Sequence, residues 1–324
     1  MKWQTETEIP QYPFTITHSS KILLLGSCFA QNIGDLLTYY KFNALQNPFG
    51  IVFNPLSLRR SVDLLCSNKI YQLEDLNQNN GLFFSYDHHS SFSDTSAEKT
   101  LLKINTALQD ARLTLPKTDV VFISLGTAFY WELLKDKRLV NNCHKQPNKL
   151  FEQKCGSVSK VIEALKDSIE LLQKSNSRIN IVLTVSPIRH LKHGSAGNQL
   201  SKATLLVAVH ECVRNYDFVH YFPSYELVLD DLRDYRWYAE DLIHPNKMAI
   251  KYIWNKFKDA LFNDETIKLL KEIEKINNLM AHRVMHMSDN QTENILSKIN
   301  ALAAQIPLDF NEEITRWKRS LDLE

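Results

Sequence analysis

The chain has 324 residues, of which 44% are hydrophobic, and its 38 basic and 37 acidic side chains leave a formal net charge of +1. That size and composition suit one large globular domain or a domain with an appendage, and exclude a chain kept disordered by its composition. Balanced charge without a run of basic residues gives nothing to track a phosphate backbone, which excludes nucleic acid as a partner.

The opening stretch MKWQTETEIPQYPF is polar and acidic where a secretory signal needs a continuous apolar segment, and no later run is long enough to cross a membrane. A cytoplasmic protein without a membrane partner is expected. The five cysteines, Cys28, Cys66, Cys143, Cys155 and Cys212, show no C-x-x-C spacing, so neither a disulfide framework nor a zinc knuckle is expected.

The first strand-like run is Ile22–Leu25, followed by Gly26-Ser27-Cys28 and a helical pattern over 29–40. Gly50 then stands beside the apolar run Ile51–Phe53, ahead of a second amphipathic segment at 56–67. Residues 68–96 break the rhythm with a polar segment that has a short aromatic stretch around Phe83–Tyr86, an insertion of the kind that shapes substrate pockets. Helical spacing resumes at 97–112, and Val120–Leu125 runs into Gly126 as a further strand. The pattern continues with a helix at 157–174, a strand at Ile181–Val185 before Pro187, a helix at 199–214, a strand at Phe218–Phe222 before Pro223, and a helix at 247–262. This alternation predicts an α/β domain with a mainly parallel sheet covered on both faces and a ligand site beyond the strand carboxyl ends.

After about residue 264 the chain changes character: Leu269, Ile273, Ile276, Met280, Val284 and Met287 make one apolar stripe on a polar helix. Residues 264–324 are therefore read as a C-terminal helical extension to a domain at 1–263. The stripe is expected to pack on the body, with a homo-oligomer seam through these helices as the alternative.

Chemistry concentrates at two places. A nucleophile between a buried strand and a helix's first turn stands at the open end of the sheet, where backbone N–H groups can face a developing oxyanion. Ser27 and Cys28 both occupy that corner. A base and its orienter are available in RWYAEDLIHPNKMA, where Asp241 and His244 are three apart: the carboxylate fixes one imidazole nitrogen and frees the other to take a proton. His190 follows the strand at 181–185 at its carboxyl end and reads first as a surface imidazole, with contact to substrate as the alternative. Adjacent His88 and His89 point in different directions and make a poor metal pair, so no metal is expected. Asp230 and Asp231 read as a solvated face with local ion pairs.

With these residues in view, LLLGSCFA resembles the defining motif of the GSCFA family, itself distantly similar to the SGNH (GDSL-like) hydrolases and acyltransferases. ISLGTAFYW, TVSPIRH, YFPSYE and LRDYRWYAEDLIHPN resemble further family blocks, and the likeness covers about residues 10–262. It implies an SGNH-like, flavodoxin-like three-layer α/β/α fold with about five parallel strands, Asp241 as orienter and His244 as base.

Laid without a gap on the SGNH pattern strand-Gly-Asp-Ser, the corner puts Cys28 in the nucleophile slot and Ser27 in that of the Asp. A helix amino terminus depresses a thiol pKa, which also favours Cys28, while Ser27 remains open as nucleophile or helix cap. The expected oxyanion and substrate groups are Gly126 with the Thr127 hydroxyl, where SGNH enzymes carry Gly-x-Asn, the N–H of Gly50 or of the nucleophile, the Asn47 side chain and His190; the alternative is Gly126 as a tight turn and Thr127 as a cap.

The implied activity is hydrolysis of an acyl ester, or O-acyl transfer, through an acyl-enzyme on a small molecule or carbohydrate. Hydrolysis needs no cofactor; transfer needs an acyl donor such as acyl-CoA. The alternative from another class is a binding or scaffold protein with a decayed site.

Overall fold

The computed structural model describes residues 5–281 and 289–320; Val284 and Met287 of the expected stripe lie outside the described residues. The first half runs β1 (Lys21–Gly26), α1 (Cys28–Tyr39), β2 (Asn43–Gln46), α2 (Pro55–Cys66), β3 (Asn77–Asn79), β4 (Leu82–Phe84), α3 (Ala97–Thr114) and β5 (Val120–Leu125). There follow β6 (Phe129–Leu133), β7 (Leu139–Val140), β8 (Phe151–Cys155), α4 (Val158–Ser175), β9 (Asn180–Val185), α5 (Gly194–Asn215) and β10 (Val219–Tyr221). The chain then forms α6 (Ser224–Glu226), α7 (Lys247–Leu261), α8 (Asp264–Ala281), α9 (Asp289–Ala303) and α10 (Asn311–Arg319).

Five strands make one parallel sheet in the order β10-β9-β5-β1-β2. β1, β5 and β9 are apolar on both faces because both are covered, and successive side chains go to opposite layers. Leu23 and Leu25 pack with α2, α3, α4 and α5; Ile22 and Leu24 pack with α1, α7 and the C-terminal helices. The result is a three-layer α/β/α body. Leu270, Ile273 and Ile276 of α8, with Ile299, Phe310 and Trp317 beyond, join the second layer's core, so the described part of the tail stripe packs on the body.

Three local expectations are corrected. Ile51–Phe53 is not a strand: the edge strand is Asn43–Gln46, short and only half-buried, so it carries no long apolar run. A second, antiparallel sheet, β7-β6-β8, follows β5, and its core of Val140 and Phe151 receives Phe84 and Tyr86 from the insertion. Asp231 is buried rather than solvated, accepting from the Thr7 N–H at 2.8 Å, the Thr7 hydroxyl at 2.6 Å and the Tyr252 hydroxyl at 2.8 Å. Asp230 does pair locally, with Arg233 at 2.9 Å.

Candidate active site

In chain order the five parallel strands lie 2-1-3-4-5, and the order reverses between β1 and β5. A doubly wound sheet opens its ligand crevice at that reversal, beyond the strand carboxyl ends. Gly26, at the end of β1, sits against Ser124 of β5 so closely that an added Cβ would lie 2.1 Å from the Ser124 carbonyl oxygen, and its φ is +125°. Only glycine fits both demands.

The chain turns there into α1. Ser27 is fully buried: its hydroxyl accepts from the Phe29 N–H at 3.3 Å as the helix cap and lies 2.8 Å from the Ser124 hydroxyl, while its N–H donates to the Ser124 carbonyl at 2.9 Å. Cys28, the first helical residue, is only half-buried. Burial pushes its thiol up, opposed by its own N–H, which reverses the direction expected from the helix terminus.

Asn47 follows β2 and reaches the same corner. Its side-chain oxygen accepts from the Gly26 N–H at 2.9 Å, which turns its amide nitrogen toward Gln31, 3.4 Å away. The other expected oxyanion donors are occupied. The N–H groups of Gly126 and Thr127 both donate to the Phe53 carbonyl, at 2.7 and 3.1 Å, and the Gly50 N–H donates to the Asn47 carbonyl at 2.7 Å. The Thr127 hydroxyl lies 3.0 Å from the Ser201 hydroxyl and accepts from the Phe129 N–H at 3.1 Å.

Asp241 and His244 form the expected pair, with Nδ1 of the imidazole 2.6 Å from one carboxylate oxygen. The other carboxylate oxygen accepts from the Ile243 and His244 N–H groups at 2.9 and 3.0 Å. Those backbone donors, then the imidazole, hold the Asp241 carboxyl down to about 2. The turn places Leu242 at φ +57°, a left-handed conformation rare for a branched residue. Asn246 completes it by capping α7, its side-chain oxygen accepting from Met248 and Ala249 N–H at 3.0 and 3.1 Å.

His190 links this turn to the sheet. Its Nε2 would lie 2.9 Å from a Cβ on Gly126, its ring meets Phe53 edge-on at 5.4 Å, and its N–H donates to the Asn198 side chain at 2.9 Å. Burial, then the charges of Lys202 and His244, bring its imidazole down to about 4. His244 is thus near enough to His190 for its charge to be felt there, while no hydrogen bond joins His244 to Ser27 or Cys28.

Sequence reasoning missed Lys202. It is fully buried on the apolar stripe of α5, and its ammonium donates to the carbonyls of Gly126 and Ser186, both at 2.6 Å. No ion pair accompanies it among the described residues, and burial with the Arg189 charge brings it down to about 7. The signal was present: a lysine at a core position of an amphipathic helix. Those described residues bring no three His, Cys, Asp or Glu side chains together as a metal site, and none of their helices is long and apolar enough to cross a membrane.

A doubly wound α/β/α protein with a histidine–carboxylate pair at the sheet end is thus defined. The model of the GSCFA family matches residues 21–257, and the chain belongs to that family. No curated protein sequence matches it significantly. Among solved structures it is similar to a Streptococcus pneumonia protein named for platelet activating factor, at 12% identity and a TM-score of 0.39, covering 75% of this chain and 84% of that one. It is also similar to the acetyl xylan esterase Est2A of the rumen bacterium Butyrivibrio proteoclasticus, at 10% identity and a TM-score of 0.36, covering 78% of this chain and 64% of that one.

Proposed function

We propose that this chain processes acyl esters through a covalent acyl-enzyme on Cys28. The observation that carries the reading is the Asp241–His244 pair, 2.6 Å apart, with His244 near enough to His190, beside Gly126, for its charge to be felt there. Cys28 is favoured over Ser27 because the serine is buried and committed as a cap, whereas the thiol is accessible in part. Since burial raises the thiol pKa, a base must take its proton during attack, and that is the role of His244.

Sγ attacks the ester carbonyl as its proton passes to His244; the tetrahedral oxyanion collapses, the alkoxide leaves with that proton, and a thioester remains. Water or an acceptor hydroxyl then attacks, with His244 again taking the proton and returning it to Sγ. In place of the Gly126, Thr127 and Gly50 groups, the N–H of Cys28 and the Asn47 amide are assigned as oxyanion donors, the amide by giving up its long 3.4 Å bond to Gln31. A thioester transfers readily to alcohols, so O-acyl transfer to a carbohydrate or small molecule is as compatible as hydrolysis.

The test is intact-mass labelling with limiting chloroacetamide and, separately, a fluorophosphonate, alongside turnover of a short-chain p-nitrophenyl ester. Alkylation at Cys28 that depends on His244, with activity lost in Cys28→Ala and kept in Ser27→Ala, is expected. A fluorophosphonate adduct lost in Ser27→Ala would assign the serine instead. Proteins that neither label nor turn over would favour a binding protein with a decayed site.

A further inference from the structure

We infer that the groove beside the Asp241–His244 turn selects esters whose acyl chain ends in a carboxylate, with Arg189 as the residue that receives it. The inference rests on the proposed acyl-ester chemistry. The groove holds about 520 Å³ between the loop after β9 and the histidine turn, a size suited to a small ligand. Leu229, Leu232, Tyr235, Tyr238 and Leu242 give it an apolar wall, and Arg189 stands on its rim. Leu242 and Arg189 are near sequence neighbours of His244 and His190, so the groove adjoins the reacting end of the sheet.

Charge decides the ligand's sign. Asp234, the carboxylate among the lining residues, pairs with Arg236 at 2.7 Å, and neighbouring Asp230 pairs with Arg233 at 2.9 Å. Half-buried Arg189 has no ion pair or hydrogen bond among the described residues. A half-buried guanidinium without a counter-ion costs energy, and an anion in the groove relieves that cost. A guanidinium fork matches a carboxylate in bidentate geometry, while the apolar wall takes the methylene chain.

The experiment compares mono-p-nitrophenyl glutarate with p-nitrophenyl butyrate in the wild type, Arg189→Gln and Arg189→Lys. Expected are a wild-type preference in kcat/KM for the glutarate ester of roughly 10- to 100-fold, its collapse in Arg189→Gln and partial recovery in Arg189→Lys. Equal losses on both esters, or no wild-type preference, would overturn the inference. Should neither ester turn over, titration calorimetry of glutarate against Cys28→Ala, with and without Arg189→Gln, decides independently: binding that requires Arg189 supports the carboxylate site even as the acyl-enzyme reading fails, and no binding refutes it.

Discussion

Both ring nitrogens of His88 are buried without a hydrogen-bond partner, among the rings of Phe49, Tyr71 and Phe92 at 5.5, 5.0 and 5.2 Å. The ring occupies a phenylalanine's place while carrying two desolvated polar atoms, so His88→Phe is expected to stabilise the fold by about 1 kcal/mol, read as a rise in denaturant midpoint. Asn47 is the opposite case, a buried amide whose oxygen accepts from Gly26 and whose nitrogen donates to Gln31 at a long 3.4 Å, the bond that the proposed reaction would exchange for the oxyanion. Asn47→Ala should lower kcat by about 10²- to 10³-fold with a smaller change in KM, measured on the ester of the labelling assay. Whether a side chain is free to act was not legible in the sequence. Gly126 and Thr127 read as oxyanion donors until the Phe53 carbonyl is seen to take both N–H groups, and Phe53 belongs to a loop whose path no periodicity records.

At the scale of elements, α5 carries Lys202 under two loops at once, those after β5 and β9. Lys202→Met removes a desolvated charge but leaves two carbonyls unpaired, so it should lower kcat by about tenfold or more with a Tm change under about 5 °C. A pH series separates this from simple packing. The lysine titrates at about 7 when folded and near 10.5 when unfolded, so from pH 7 to 10 the unfolded chain holds the extra proton. Wild-type Tm relative to the variant should therefore rise across that window. The elements themselves were largely readable: β1, β5, β9 and six helices fall within a few residues of their apolar patterns, because full burial writes a continuous signal. β2 and the sheet of β6, β7 and β8 were missed for the converse reason, being short, half-buried and rich in polar side chains.

Among the described residues, burial brings three imidazoles furthest below the ordinary histidine value. Burial is the first cause in each of His88, His144 and His190, and each is brought down to about 4. All three are neutral in the folded protein, whereas the unfolded chain takes up protons near the ordinary histidine value. Their contribution is intact above about pH 6.5 and is lost as pH falls toward 4. Calorimetric Tm should thus drop steadily between pH 7 and 4.5, and His88→Phe should flatten part of that slope. A Tm independent of pH over this range would show that the three rings are hydrated in solution.

Ser27 and Cys28 lie in the first crossover of the sheet, and the histidine turn follows β10, its last strand, just ahead of α7. A chain emerging from the ribosome therefore presents Cys28 long before His244 is made. On the acyl-enzyme proposal a nascent chain that stops short of the segment after β10 has a thiol without a base and should show no ester turnover. Synthesis order would then act as a safety catch, released by the segment that follows the last strand.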